Sequence, residues 1–285
     1  LHHSQGGALK MKKTRTISFA KMSGSGNDFV VFDNRNGKLN KDLSEFAQSV
    51  CKRRVGIGAD GMILIEKDDE CDFLMRYFNA DGSEAEMCGN GGRCAALYAH
   101  VKEIAGRKMR FRSKDGIHAA SVNKDAVKLK MSDPAQMDLE VPLELTGREV
   151  SASYVHTGVP HVVVAVEDVK KIDVLELGKE IRYLPKFQPD GTNVDFVQVL
   201  PRGRLKVRTY ERGVEDETLA CGTGCVAVAL VEGIKKGLRS PVHCATAGGE
   251  VLKVHFRRDG ESITNVFLEG AAVLVFEGKL PASLA

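Results

Sequence analysis

The chain has 285 residues, 43% hydrophobic and 28% charged, with Lys plus Arg exceeding Asp plus Glu by three. Those values describe a soluble globular protein with room for two cores of ordinary size. Part of the positive excess sits in Lys10, Lys12, Lys13 and Arg15, and the other charges are interspersed, which argues against a nucleic-acid partner. No apolar run nears the roughly 18 residues needed to span a bilayer.

In chain order, residues 1–10 read as the remnant of a purification tag, with native structure expected to begin near Met11. Alternating apolar residues predict strands at 19–22 and 29–33, then a helix at 42–53, then strands at 62–66 and 72–78. A mostly apolar helix is expected at 91–104, and strands at 110–113, 117–122 and 126–131. Asp133-Pro134 opens a polar stretch ending near Pro142, read as a linker. Beyond it the pattern predicts strands at 153–156 and 161–166, a helix at 174–182, and strands at 196–200 and 205–210. A second apolar helix follows at 224–236, then strands at 250–256, 262–269 and 271–276. Asp115-Gly116 and Asp259-Gly260 are hairpin signals.

The two halves repeat. Ser25-Gly26-Asn27-Asp28-Phe29 and Thr157-Gly158-Val159-Pro160-His161 are both turns entering a strand, and Gly26 lies 132 positions before Gly158. Cys88 lies 133 positions before Cys221. A nearly constant offset across several elements indicates a duplicated domain. The expected fold is therefore α+β, with two pseudo-symmetric lobes of antiparallel strands, each around one central apolar helix, and an active site in the cleft between them. Residues 11–132 form the first lobe, joined by a returning segment 271–285, and residues 133–270 form the second.

Seven cysteines, an odd number scattered over a long chain, argue against a disulfide framework and for a reducing cytoplasm. No Cys-x-x-Cys occurs, so no metal site is expected. Cys88 precedes Gly89-Asn90-Gly91-Gly92, and Cys221 precedes Gly222-Thr223-Gly224, each at the start of an apolar helix. Free N–H groups and the helix dipole at such a position are expected to lower a thiol's pKa and to bind a carboxylate. Two such thiols, one from each half, suit a reaction that removes a proton from one face of a carbon and returns it to the other. Cys51, Cys71, Cys94, Cys225 and Cys244 read as small buried hydrophobes. The glycine-rich turns lack a P-loop lysine and Rossmann spacing, which argues against a nucleotide. His161, alone on a valine strand, is open between a general base and a structural histidine.

On five motifs the chain resembles the diaminopimelate epimerase family of cofactor-independent amino-acid racemases. They are Lys21-Met22-x-Gly24-x-Gly26-Asn27-Asp28-Phe29, Asn79-Ala80-Asp81-Gly82-Ser83, Cys88-Gly89-Asn90-Gly91, Tyr210-Glu211-Arg212-Gly213 and Ala220-Cys221-Gly222-Thr223-Gly224. The resemblance runs from Phe19 to Gly278 and implies a pyridoxal-free, cytoplasmic, homodimeric epimerase that interconverts LL- and meso-diaminopimelate. It implies Cys88 and Cys221 as the acid–base pair, and substrate contacts from Asn27, Asn79, Asn90, Asn193, Glu211 and Arg212 with the backbone at Gly89, Gly222 and Thr223. Val159 departs from the family, standing where many members have asparagine and where the repeat places Asn27. Met87 and Gly61 also replace polar residues of some relatives. A racemase of another amino acid, of histidine or proline type, and a non-catalytic amino-acid-binding protein are the competing readings.

Overall fold

Ser25 and Gly26, with φ of 52° and 89°, turn the first strand back onto the second in a two-residue hairpin. The computed structural model describes residues 16–281 apart from 41, 125 and 261. The tag-like residues 1–10, the start at Met11 and the last four residues of the chain lie outside the described residues. In the first half the elements are β1 (Thr16–Gly24), β2 (Asn27–Asp33), α1 (Leu43–Cys51), β3 (Gly61–Glu66), β4 (Phe73–Asn79) and β5 (Glu84–Ala85). They continue with α2 (Gly89–Val101), β6 (Lys108–Ser113), β7 (Gly116–Asn123) and β8 (Ala126–Lys130). The second half has β9 (Gln136–Leu145), β10 (Arg148–His156), β11 (Pro160–Ala165), α3 (Val174–Arg182), β12 (Asn193–Val199), β13 (Leu205–Glu211) and β14 (Asp216–Thr218). It ends with α4 (Gly222–Lys235), β15 (Val242–Ala245), β16 (Val251–Asp259), β17 (Ser262–Ala271) and β18 (Val273–Pro281).

The duplication is visible in the pairing. One half runs β18-β1-β2-β3-β4-β6-β7-β8, and the other runs β9-β10-β11-β12-β13-β15-β16-β17 in the same sense. The strand that follows each half's last full strand pairs at the start of the other half: β9 on β10, and β18 on β1. β8 joins β17 in antiparallel register, Leu129 opposite Leu268, so one ladder crosses both halves.

Two expectations need correction. The sheet is mixed, because β2–β3, β4–β6, β11–β12 and β13–β15 are parallel. Each parallel step is a crossover, with α1 or α3 between the first pair of strands in its half and α2 or α4 between the second. The stretch read as a linker is strand β9, with its inward residues Val141, Leu143 and Leu145 buried. Pro142 disguised it, yet an edge strand accepts a proline because its open side has no ladder bond to lose.

Helices α2 and α4 are buried from residue 90 to 99 and from 224 to 233 and share one core with strands of both halves. Small residues make that possible: Ala95, Ala96 and Ala99 in α2, and Ala227 and Ala229 in α4, let strands approach from every side. Helices α1 and α3 instead cover two satellite cores, around Phe46 and Val50 and around Leu177 and Ile181. Both start alike, with Asp42 capping Glu45 N–H and Asp173 capping Glu176 N–H, each at 3.0 Å.

Candidate active site

Cys88 is the N-cap of α2 and Cys221 the N-cap of α4, each in extended backbone before the first helical residue. Intrahelical bonding begins with Gly92 N–H to Cys88 O at 2.7 Å, and with Cys225 N–H to Cys221 O at 3.0 Å. Helix geometry therefore leaves the N–H groups of Gly89 and Asn90, and of Gly222 and Thr223, without intrahelical acceptors. The Cys221 sulfur accepts from Gly224 N–H at 3.4 Å and lies 3.4 Å from Thr223 Oγ1. Cys88 makes no such capping bond and is half-buried, whereas Cys221 is 8% exposed.

The expectation of a lowered thiol pKa is overturned at Cys221. Burial pushes it well above the usual thiol value, and the nearby carboxylates of Glu211 and Asp195 add to the rise. The contacts with Thr223 and Gly224 act in the opposite sense and do not overcome it. Desolvation acts against the thiolate when the thiol is this deeply enclosed.

A cavity of about 910 Å³ lies between the two cysteines' helix ends and is lined from both halves. Of the residues expected from sequence, Asn27, Cys88, Gly89 and Asn90 line it from the first half. Asn193, Glu211, Arg212, Cys221, Gly222 and Thr223 line it from the second. Val159 is on the wall as well, at the position the repeat pairs with Asn27. Asn79 is not on the wall; its amide donates to Ser83 Oγ at 3.0 Å in the turn that follows β4. Cys71, read as buried, is only half-buried.

His161 is also absent from the wall. It is fully buried, and its Nδ1 donates to Asp195 Oδ2 at 2.7 Å, while Thr209 Oγ1 donates to Asp195 Oδ1 at the same distance. Its Nε2 has no hydrogen-bond partner. A histidine enclosed in this way is part of the scaffold beneath Cys221 rather than a group exposed to a ligand.

Sequence reasoning passed over Ser25, Arg53, Asp60, Glu86 and Lys114, all of which line the cavity. With Arg212 and Glu211 they place three cations and three carboxylates around one space, which suits a ligand carrying both ammonium and carboxylate groups. Burial raises the Glu211 carboxyl above its ordinary value. Arg53 reaches both Asp28 and Asp60 at 2.8 Å, and Asp60 Oδ2 accepts from the Asn27 amide at 3.1 Å. These partners are distant in sequence, so only the hairpin motif around Asn27 hinted at the cluster.

The fold is shared with enzymes of the phenazine-biosynthesis and proline-racemase type. A phenazine biosynthesis protein of the PhzF family from Bacillus anthracis superposes with a TM-score of 0.72 at 16% identity, covering 93% of this chain and 99% of that one. A hydroxyproline epimerase from Agrobacterium vitis, solved with trans-4-hydroxy-L-proline, gives 0.64 at 16% identity, covering 95% and 94%. The sequence narrows this further. The family model for diaminopimelate epimerase matches residues 19–137 and 153–275, one segment in each half. The chain is 48% identical to the diaminopimelate epimerase of Aquifex aeolicus, over 93% of this chain and 98% of that protein. It is 43% identical to that of Chlorobaculum tepidum, over 91% and 99%. The protein thus belongs to the diaminopimelate epimerase family, an isomerase family.

Proposed function

We infer that this protein inverts one α-carbon of 2,6-diaminopimelate, interconverting the LL and meso forms, with Cys88 and Cys221 as the acid–base pair and without pyridoxal. The observation that supports this most is the placement of the two thiols, each capping the buried helix of its own half and both on the wall of one cavity.

The α-hydrogen of an amino acid is a very weak acid, so its removal needs stabilisation of the charge that develops on the carboxylate. The N–H groups at the starts of α2 and α4 supply preorganised donors for that charge. In one direction the half-buried Cys88 serves as the base and the buried Cys221 as the acid. Cys88 takes the α-proton as the C–H bond breaks, and Cys221 delivers its own proton to the opposite face. The enzyme is then left with the protonation of the two sulfurs exchanged, ready for the reverse reaction. Asn27, Asn90 and Asn193 orient the reacting head, and Asn79 acts through the turn it closes. Glu211 takes the distant ammonium and Arg212 the distant carboxylate. His161 supports Cys221 from behind.

The activity proposed here belongs to lysine and peptidoglycan precursor formation. The expected setting is a cytoplasmic homodimer; among the described residues no helix is long and apolar enough to cross a membrane. We take residues 11–132 with 271–285 as one lobe and 133–270 as the other.

Solvent deuterium uptake at the α-carbon tests the reading. Under identical reducing conditions, diaminopimelate should be preferred over lysine by at least about a hundredfold in specificity constant, because lysine has no second carboxylate for the half-buried Arg212. Faster exchange of histidine or proline, which the loss of an amide at Val159 would permit, would move the assignment to a racemase of that substrate. Binding without any exchange would mark an amino-acid-binding protein.

A further inference from the structure

Arg93, in the second turn of α2, is fully buried, yet among the described residues it forms no ion pair with a carboxylate. Enclosing a guanidinium without a counter-ion is costly, so its bonds need a reason. Its partners all lie on the cavity wall. Nη1 donates to Gly89 O at 3.2 Å, and Nη2 donates to Asn90 Oδ1 at 2.8 Å and to Ser25 Oγ. Nε has no partner.

The helix does not need an arginine there to fold. With Cys88 opposite Cys221 in the repeat, Arg93 corresponds to Val226, which is equally buried in the same core. The duplicated half thus shows that an apolar residue fills this position in the same architecture.

Arg93 has no acceptor, so the atom of Asn90 facing it must be the amide oxygen. That settles the direction of the remaining bonds. Asn90 Nδ2 donates to Asn27 Oδ1 at 2.8 Å, and Asn27 Nδ2 donates to Asp60 Oδ2 at 3.1 Å. A chain of one polarity therefore runs from Arg93 to Asp60, closed by a pure donor at one end and a carboxylate at the other. Each Asn uses one of its two N–H bonds within the chain and keeps one more. In the other half the counterparts of Asn90 and Asn27 are Thr223 and Val159, so no matching chain exists there.

We propose that Arg93 is a positioning residue for proton transfer, which fixes the Asn90–Asn27 amide pair so that both present N–H donors, never carbonyl oxygens, to the substrate carboxylate beside Cys88. This rests on the reading of the cavity as the proton-transfer site. An amide free to flip would offer an oxygen to the developing negative charge for part of the time, and the transition state would lose a donor.

The test is a double-mutant cycle on α-proton exchange with diaminopimelate. Arg93→Lys keeps the charge but cannot bridge three acceptors in one plane, and Arg93→Met copies the apolar choice made at Val226. Each should fold cooperatively and lower kcat on the order of a hundredfold, with KM changed by only about threefold. In an Asn90→Ala background the same substitutions should cost about threefold or less, because the group they act through is gone. Penalties that multiply in full, or single variants that exchange at the wild-type rate, would overturn the proposal. A second readout uses the wild-type protein: a scalar coupling across the hydrogen bond from Asn90 Nδ2 to Asn27 Cγ is expected. The opposite coupling, from Asn27 Nδ2 to Asn90 Cγ, would also overturn it. Absence of exchange in the wild-type protein would refute the functional reading itself, whereas the coupling addresses the amide polarity alone.

Discussion

His161 and Asp195, 2.7 Å apart and wholly enclosed, occupy the positions that Phe29 and Ile63 hold in the other half. The register shows the equivalence: His161 stands opposite Asn193 as Phe29 stands opposite Gly61, two residues before Asp195 and Ile63 respectively. One architecture has therefore been filled twice, once with an apolar pair and once with a polar one. The polar version lies under the helix that carries Cys221.

This contrast makes a stability prediction. Replacing Asp195 alone by Val strands His161 Nδ1 and Thr209 Oγ1 in the core, and should cost about 3–5 kcal/mol. Replacing both, His161→Leu with Asp195→Val, should cost less than the single change, because only the Thr209 hydroxyl is then left without its partner, not the imidazole as well. Urea midpoints of the two variants decide the matter, and a double variant no more stable than Asp195→Val would contradict it.

The same site explains why Gly224 is glycine. A Cβ there would fall 2.2 Å from Asp195 Oδ1, whereas a Cβ on Gly91, its counterpart in α2, would meet side chains no nearer than 3.5 Å. Gly224→Ala is therefore expected to lose about 1–3 kcal/mol by overpacking. Gly91→Ala should be neutral or gain up to about 1 kcal/mol from helix propensity. Equal thermal shifts in the two variants would refute the distinction.

The cysteines should separate into two groups. Cys88→Ala and Cys221→Ala are expected to abolish epimerisation, while Cys94→Ala and Cys225→Ala, inside the helices, retain substantial activity. Alkylation adds an ordering. Iodoacetamide attacks the thiolate, so the half-buried Cys88 should be modified well before Cys221, which is enclosed and held protonated. Peptide mapping over a time course would show this, and prior labelling of Cys221 would reverse the roles assigned to the pair.

Asp28 predicts a pH effect on stability at the acid end of the scale. Burial would raise its carboxyl, but Arg53 and Lys21 overcome that and hold it at about 2, below its ordinary 3.8. A depressed carboxylate stabilises the fold above its unfolded pKa and loses that contribution as pH falls from about 4 through about 2. Asp28→Asn should therefore be less stable than wild type by on the order of 1–2 kcal/mol near neutrality, allowing for its partial exposure. The gap should close as the pH approaches 2, which denaturant titrations at several pH values would reveal.

The sequence by itself determined the duplication, the two cysteine turns, the four helices and the family, because each is written in local patterns. Glycine before an apolar helix, period-two alternation and a constant offset between motifs need no knowledge of what packs where. The sense of the strand pairs, the role of 136–145 as a strand, and the partners of Asp28, Asn27 and Arg93 depend on residues tens of positions apart. So does the ionisation of Cys221. A helix terminus is a local feature and favours the thiolate, but the burial that opposes it comes from the whole core and from carboxylates on β12 and β13. Desolvation is a property of the surroundings in space, and that is why tertiary structure alone decided it.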